Sequence, residues 1–577
     1  MADKPTARIA ALSRQVDIED LARRAWPDAP PPRPPSAPSC GSGCSSCGPA
    51  AGGLRPVPAA AYTEAAASPR TPLEALLDAA AAAGARPAGG GAWEPRTPEI
   101  TTAEGYIASL RGRNLKVYIQ GELVDNFVDH PIVWPSVNSL AETYRLAHDD
   151  PELGTALGFS GYRMSRFLHV CESSHDLVRQ SHMQRELGRR TGCCFQRCVG
   201  MDALNATWAT TFDIDKKYGT EYHLRFQNFM RMAQARNIVL GGAMTDPKGD
   251  RMKSPSQQDD PDLFVRVAGR RQDGSIVLRG SKVHQTGTLN SHYMIVMPGG
   301  KMEVAEKDYA IACAVPVDAP GLTYIYGRQS CDLRAMEGSE IDQGNANYGG
   351  QETVVCFEDV VVPAELVFMD GEVEFTQTLV ERFTAYHRRS YICKAGLGDV
   401  MLGSAATVAE YNGVSRVSHV RDKFVEIAYL NENIAGTALA ASYGGKAMPA
   451  GNFLPDVLMA NICKHNVTRY PYEIARNVQD IAGGLLVTLP GDKDFKHEVA
   501  GPLLEKYLMG KRGVTVENRR RILRLIECMT MGRNAVGYLS ESMHGAGSPQ
   551  AQRVLIQRYM DLESKKGLAK RLAGIQE

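Results

Sequence analysis

Between about residues 236 and 370 the hydrophobic pattern switches from helical to strand-like and then back, and this double switch constrains the fold more than any other feature. The middle stretch is built of short β-branched runs, LFVRVAGRRQDGSIVLRGSKV, YMIVMPG, YAIACAVPV and ETVVCFEDVVVP, punctuated by Gly, Asp and Pro. Residues 95–235 instead carry apolar positions three and four apart, as in SLAETYRLAHD and HDLVRQSHMQRELGRR, and residues 371–577 return to that period. Amphipathic helices and one-sided strands have to bury their apolar faces against one another. The order therefore predicts an α+β protein with an N-terminal helical domain, a middle β domain over 236–370 and a C-terminal helical bundle.

Residues 1–94 lack this patterning. DAPPPRPPSAPSCGSGCSSCGPAAGG is rich in Pro, Gly, Ser and Ala and reads as a largely disordered extension, with short helical candidates in VDIEDLARRAW before it and LEALLDAAAAAGA after it. Within it Cys40, Cys44 and Cys47 have a spacing that would suit three thiolates on a metal or cluster, but no fourth ligand or packed shell is evident, which favours a set of exposed thiols.

Lys plus Arg and Asp plus Glu number 65 each, so no net charge draws the chain toward nucleic acid or an anionic membrane. No run of about twenty apolar residues suggests a membrane span. The opening MADKPTARIAALSRQ has no signal-like apolar core, so a cytoplasmic setting with reduced thiols is expected. Thirteen cysteines are many for such a setting. Cys313, Cys356, Cys463 and Cys528 read as small buried apolar residues; the others sit in patterns.

TGCCFQRC at 191–198 places Cys194 and Cys198 four apart, on one face if the segment is helical, with Arg189, Arg190 and Arg197 nearby. AYHRRSYICK at 385–394 places His387 and Tyr391 on one helical face and brings Cys393 and Lys394 within a further turn. Together these supply a metal ligand, a proton donor and a cation in one short stretch. GAMTDPKGDR at 242–251 forms a tight loop whose Thr245, Lys248 and Arg251 can offer donors to an anionic or heteroaromatic ligand. VHQTG at 283–287 and the paired glycines of QDIAGG at 479–484 add further candidate contacts. None of these is a Walker loop or a G-x-G-x-x-G fingerprint.

As a set, GCCFQRCVGMDA, GAMTDPKGDR, IYGRQSCD, GGQE, YHRRSY followed by CK, and ESMHGAGSPQAQR resemble the 4-hydroxybutyryl-CoA dehydratase family, within the 4-hydroxyphenylacetate 3-hydroxylase superfamily. The resemblance runs from about residue 95 to the end. It implies the acyl-CoA dehydrogenase-like fold, FAD and a 4Fe–4S cluster as cofactors, and an acyl-CoA substrate bound by a homotetramer. The implied reaction is radical dehydration of a 4-hydroxyacyl thioester to crotonyl-CoA, with vinylacetyl-CoA to crotonyl-CoA isomerisation as a second activity. Such a thioester must lose a proton from its unactivated β-carbon. One-electron oxidation of the enolate by flavin acidifies that hydrogen, and iron can assist the departing hydroxyl.

Position by position, the resemblance makes Cys194, Cys198, His387 and Cys393 the cluster ligands. FAD would contact Met244, Thr245, Asp246, Lys248, Arg251, His284, Gln285 and Thr286, and Gly483 and Gly484 across a subunit boundary. His387, Tyr391, Glu352, Glu541 and Lys394 would be catalytic, with Arg185 and Gln196 beside the substrate. The chain departs from the family in having only Ile392 between Tyr391 and Cys393. On a regular helix His387 and Cys393 would then lie about 120° apart, so joint ligation requires a bulge or break between them, or Cys193 as a substitute. The rival readings are a flavin-dependent aromatic monooxygenase of the same superfamily, an acyl-CoA dehydrogenase-like flavoprotein and a scaffold without activity.

Overall fold

The structure is a computed structural model that describes residues 95–576. The expectations for residues 1–94, including Cys40, Cys44 and Cys47, lie outside the described residues.

Five helices of eight residues or more open the described chain: α1 (Ala103–Leu110), α2 (Trp134–Asp149), α3 (Ser174–Thr191), α4 (Cys198–Tyr218) and α5 (Tyr222–Arg236). Strands β1 (Lys116–Ile119) and β2 (Glu122–Val124) intervene between α1 and α2, inside a stretch expected to be helical. The reason lies in Gln120–Gly121, both at positive φ (52° and 90°), which make the tight two-residue turn that twisted hairpins favour. Strand β1 then pairs in parallel with a strand two hundred residues later.

The middle segment supplies β3 (Leu240–Ala243), β4 (Arg266–Arg270), β5 (Ile276–Thr286), β6 (Tyr293–Val296), β7 (Ile311–Pro316), β8 (Leu322–Tyr326), β9 (Glu352–Val362) and β10 (Val367–Asp370). They form a six-stranded sheet in the order β2-β1-β8-β9-β5-β4 and a four-stranded sheet in the order β10-β7-β6-β3. The longest ladder joins β9 to β5 and sets Glu352 opposite Thr286 at its end. Phe226 and Phe229 of α5 meet Phe368 and Tyr293 edge-on or tilted, which fixes the helical layer to the smaller sheet.

The remaining helices of eight residues or more are α6 (Thr376–Ser390), α7 (Cys393–Tyr411), α8 (Ser418–Tyr443), α9 (Val457–Val467), α10 (Tyr470–Ala482), α11 (Ala500–Tyr507), α12 (Val516–Thr530), α13 (Pro549–Tyr559) and α14 (Leu562–Leu572). By length and hydropathy alone Val373–Tyr411 would reach across a membrane. In the fold, 67% of its most apolar window is buried, and the run is broken at Tyr391–Ile392.

Helices α3 and α7 cross closely because glycines face each other's backbone. A Cβ at Gly188 would collide with the Cys393 carbonyl oxygen, and one at Gly396 with the Arg185 carbonyl oxygen. This crossing seats the start of α7 against the segment that follows α3.

Candidate active site

Helix α3 ends at Thr191, where Gly192 adopts the left-handed conformation that terminates helices (φ 58°). The next helical residue is Cys198, the first of α4. Cys194 therefore lies in an irregular loop, and the expectation that it shares a helical face with Cys198 is corrected. Gln196, itself at φ 64°, bends the loop and donates to the carbonyls of Ser136, Cys194 and Gly349. The bend brings Cys194 and Cys198 to one cavity in spite of the missing helix.

The second arm of the site is the junction of α6 and α7. Tyr391 and Ile392 form a turn between two helices, so the chain is broken where the short Tyr391–Cys393 spacing requires it. His387 near the end of α6 and Cys393 at the start of α7 consequently line the same small cavity as Cys194 and Cys198, of about 20 Å³ and shared with Phe195, Thr286, Tyr391 and Glu541. Cys193 is not among these residues. Its buried thiol lies 3.2 Å from Ser139 Oγ, and burial pushes its pKa up to about 11.

The thiols differ electrostatically. Burial raises the pKa values of Cys194 and Cys198, whereas a hydrogen bond from the Cys198 thiol, aided by the Lys394 ammonium, lowers that of Cys393. Gln184 Nε2 donates to Cys198 Sγ at 3.2 Å. Among the described residues, no three His, Cys, Asp or Glu side chains are grouped so as to hold a metal ion. A cubane cluster makes a different demand, one protein ligand per iron, and three free thiols and an imidazole around one cleft match that demand in kind.

Beside the sulfurs lies a charged network. Lys394 Nζ donates to Gly537 O at 2.6 Å and pairs with Glu541 Oε2 at 3.2 Å. Burial opposes its charge, but Glu541 and the Cys393 and Cys194 thiols hold its pKa above the ordinary value. Glu541 follows a π-helical turn, Val536–Ser540, an irregularity that is frequent at functional sites. The Tyr391 hydroxyl donates to Glu541 O at 3.4 Å, and burial raises its pKa. Glu352 accepts from Thr286 Oγ1 at 2.7 Å and 2.8 Å, and burial, reinforced by Glu541, pushes its pKa up to about 8.

The loop expected to hold flavin leaves β3. Its floor is pinned by Lys282, whose Nζ donates to Met244 O, Asp246 Oδ1 and Met297 O at 2.9 Å, 2.6 Å and 2.8 Å. Asp246 is thus committed to Lys282. Gln285 Nε2 donates to the carbonyls of Val283 and Thr245. Lys248 and Arg251 are exposed and form no ion pair among the described residues, so both remain available to an anion. His284 is held at φ 57°, and its pKa is lowered by burial and by Lys248 and His544, which places the C-terminal turn beside this loop. Such a donor set, two free cations next to Thr245 and His284, fits a nucleotide-bearing flavin. Gly483 and Gly484 lie exposed after α10 and face open space in this chain.

Arg185 is not among the residues lining the cleft. Its guanidinium is paired with Asp399 at 3.0 Å and with Glu432. Two buried residues escaped the sequence reading. Asp202 Oδ2 lies 2.8 Å from His387 Nδ1. Lys464 donates to Ser542 O at 2.6 Å and sits 4.7 Å over the Tyr391 ring, with burial and Arg388 pushing its pKa down to about 7.

Residues 102–369 match the N-terminal part of 4-hydroxyphenylacetate 3-hydroxylase, and residues 376–574 match its C-terminal part. The chain is 49% identical over 489 residues to 4-hydroxybutyryl-CoA dehydratase/vinylacetyl-CoA-Delta-isomerase of Clostridium aminobutyricum, covering 82% of this chain and 100% of that protein. It is 27% identical to the oxygenase component of 4-hydroxyphenylacetate 3-monooxygenase of Thermus thermophilus, covering 74% and 88%. Among solved structures, an oxygen-tolerant archaeal 4-hydroxybutyryl-CoA dehydratase from N. maritimus superposes with a TM-score of 0.82 at 59% identity, over 83% of this chain and 96% of that one. The FAD complex of a 4-hydroxyphenylacetate 3-monooxygenase oxygenase component gives a TM-score of 0.73 at 25% identity, over 82% and 98%.

Proposed function

The chain belongs to the 4-hydroxyphenylacetate 3-hydroxylase family, and from that premise we propose that it dehydrates 4-hydroxybutyryl-CoA, or a close hydroxyacyl-CoA, to crotonyl-CoA. Vinylacetyl-CoA isomerisation would use the same site. The observation that carries this reading is the convergence of Cys194, Cys198, Cys393 and His387 on one cleft beside Glu352, Tyr391, Lys394 and Glu541. We read the architecture as acyl-CoA dehydrogenase-like. We assign a cytoplasmic homotetramer in which Gly483 and Gly484 of one chain approach the flavin of another.

The three cysteines and His387 would hold a 4Fe–4S cluster, and Thr245, Lys248, Arg251, His284 and Thr286 would contact FAD. When bound, FAD supplies reversible one-electron chemistry and the cluster a Lewis-acidic iron for the leaving hydroxyl. The chain's own residues handle the protons. Glu352, with its pKa pushed up to about 8, holds its proton in most molecules at neutral pH, the remaining carboxylate can take up a proton from the acyl chain, and Thr286 fixes its orientation. Tyr391 is placed to donate to a departing hydroxyl, its ring held by His387 on one side and by the Lys464 and Lys394 ammonium groups. Lys394 and Glu541 neutralise each other, so neither is a lone charge buried beside the thiols. Gln196, buried, forms part of the cleft wall.

Protein purified without air is expected to convert 4-hydroxybutyryl-CoA to crotonyl-CoA with no added oxygen, reductant or electron acceptor. Hydroxylation of 4-hydroxyphenylacetate with reduced flavin and oxygen, and no turnover of the thioester, would assign the monooxygenase reading instead.

A further inference from the structure

Asp202 belongs to α4 and His387 to α6, and their side chains meet in the protein interior at 2.8 Å through Nδ1 of the imidazole. The carboxylate is 1% exposed, and it is fixed at its other oxygen by Ser390 Oγ at 2.9 Å. Arg389, fully buried, stands 3.9 Å from the same oxygen and is itself tied to α3 through Leu177 O and Gln180 Oε1. Phe383 stacks on the imidazole at 5.1 Å between centroids, and Tyr391 meets it edge-on at 5.4 Å. Three helices thus converge to hold one carboxylate against one ring nitrogen.

A carboxylate only accepts hydrogen bonds, so the neutral ring must carry its proton on Nδ1. The Nδ1 contact is the ring's one hydrogen bond among the described residues, and His387 also lines the thiol cleft. The lone pair therefore resides on Nε2. We infer that Asp202 is a positioning residue that fixes the tautomer and orientation of His387, so that Nε2 is presented to the cluster formed with Cys194, Cys198 and Cys393. This inference rests on the reading of His387 as a cluster ligand. Buried carboxylates that hold metal-bound histidines in this way strengthen binding, and losing one costs about 10- to 100-fold in affinity.

The test uses the full-length protein reconstituted with iron and sulfide without air, then reduced and studied by pulsed electron paramagnetic resonance. With histidine labelled with nitrogen-15 at only one ring position, the directly bound nitrogen is expected to be Nε2. In Asp202→Asn the release of iron to a chelator should be about 10- to 100-fold faster, and the nitrogen coupling should change, while the circular dichroism spectrum stays that of the parent. Direct binding through Nδ1 would overturn the inference, as would an Asp202→Asn protein with the parent's coupling and iron release. The labelling result needs no variant, so it decides even if Asp202→Asn fails to fold. A cluster with no imidazole coupling in the parent protein, or with coupling that survives His387→Ala, would instead overturn the ligand assignment beneath it, and the role of Asp202 with it.

Discussion

Replacing Cys393 by Ser is expected to abolish both iron retention and dehydration of the hydroxyacyl thioester while leaving the fold intact. Serine has nearly the volume of cysteine, and position 393 opens a helix directly after a turn, where a hydroxyl is well tolerated. The loss falls on the sulfur ligand. Lewis-acid assistance to a leaving group contributes several kcal/mol, so turnover should fall by about 10³-fold or more. Cys193→Ser is the matched control. Its thiol faces Ser139 and lies outside the residues of the cleft, so iron content should match that of the parent. Iron loss in Cys193→Ser with retention in Cys393→Ser would mean that the adjacent cysteine takes the ligand position.

The second large effect is expected at Glu352 and has opposite signs for activity and stability. Glu352→Gln keeps the acceptor for Thr286 but cannot exchange a proton, and turnover should fall by about 10²- to 10⁴-fold. Stability should move the other way. The ordinary value of the carboxyl is 4.5, and the folded protein holds it at about 8. As pH rises between those values, the unfolded chain releases its proton while the folded one retains it. The unfolded state then binds fewer protons, and stability falls with rising pH through that window. Glutamine removes this penalty, which at pH 8 amounts to on the order of 3 kcal/mol for a partly buried group coupled to Glu541. Urea unfolding of the cofactor-free protein should therefore show Glu352→Gln to be more stable than the parent at pH 8 and close to it near pH 4.5. An equal difference at both pH values would contradict a proton held on Glu352.

Much of the architecture could be read from periodicity, because a helical face and a strand face impose different spacings on apolar residues. The strand runs beginning at Leu263, Tyr293, Tyr309 and Glu352 all contain strands, and the helical runs from Ser139 and His175 lie in α2 and α3. The hairpin at Gln120–Gly121 was overlooked because its strands are only three and four residues long. In the site, the local group His387, Tyr391, Cys393 and Lys394 was visible as density of reactive side chains. The break at Tyr391–Ile392 followed from the geometry that joint ligation would demand. Gly192 after Arg189 and Arg190 is a helix-stop signal, and it sets Cys194 outside the helix.

Other features could not be read in advance because they depend on long-range contacts. Asp202 and His387 are 185 residues apart, and nothing local distinguishes that aspartate from a solvated one. Lys282 and Lys464 carry no local signal that sets them apart from other lysines, yet each is enclosed, Lys282 held by two backbone carbonyls and by Asp246, and Lys464 by a backbone carbonyl. The π-helical turn before Glu541 likewise has no sequence signature of its own.

Three sulfurs and one imidazole are proposed to gather around iron next to a flavin. The most direct measurement is iron, sulfide and flavin content of full-length protein isolated without air, read together with its absorption spectrum. About four irons and four sulfides per flavin are expected. Stoichiometric flavin with no iron or sulfide, even after anaerobic reconstitution, would contradict it.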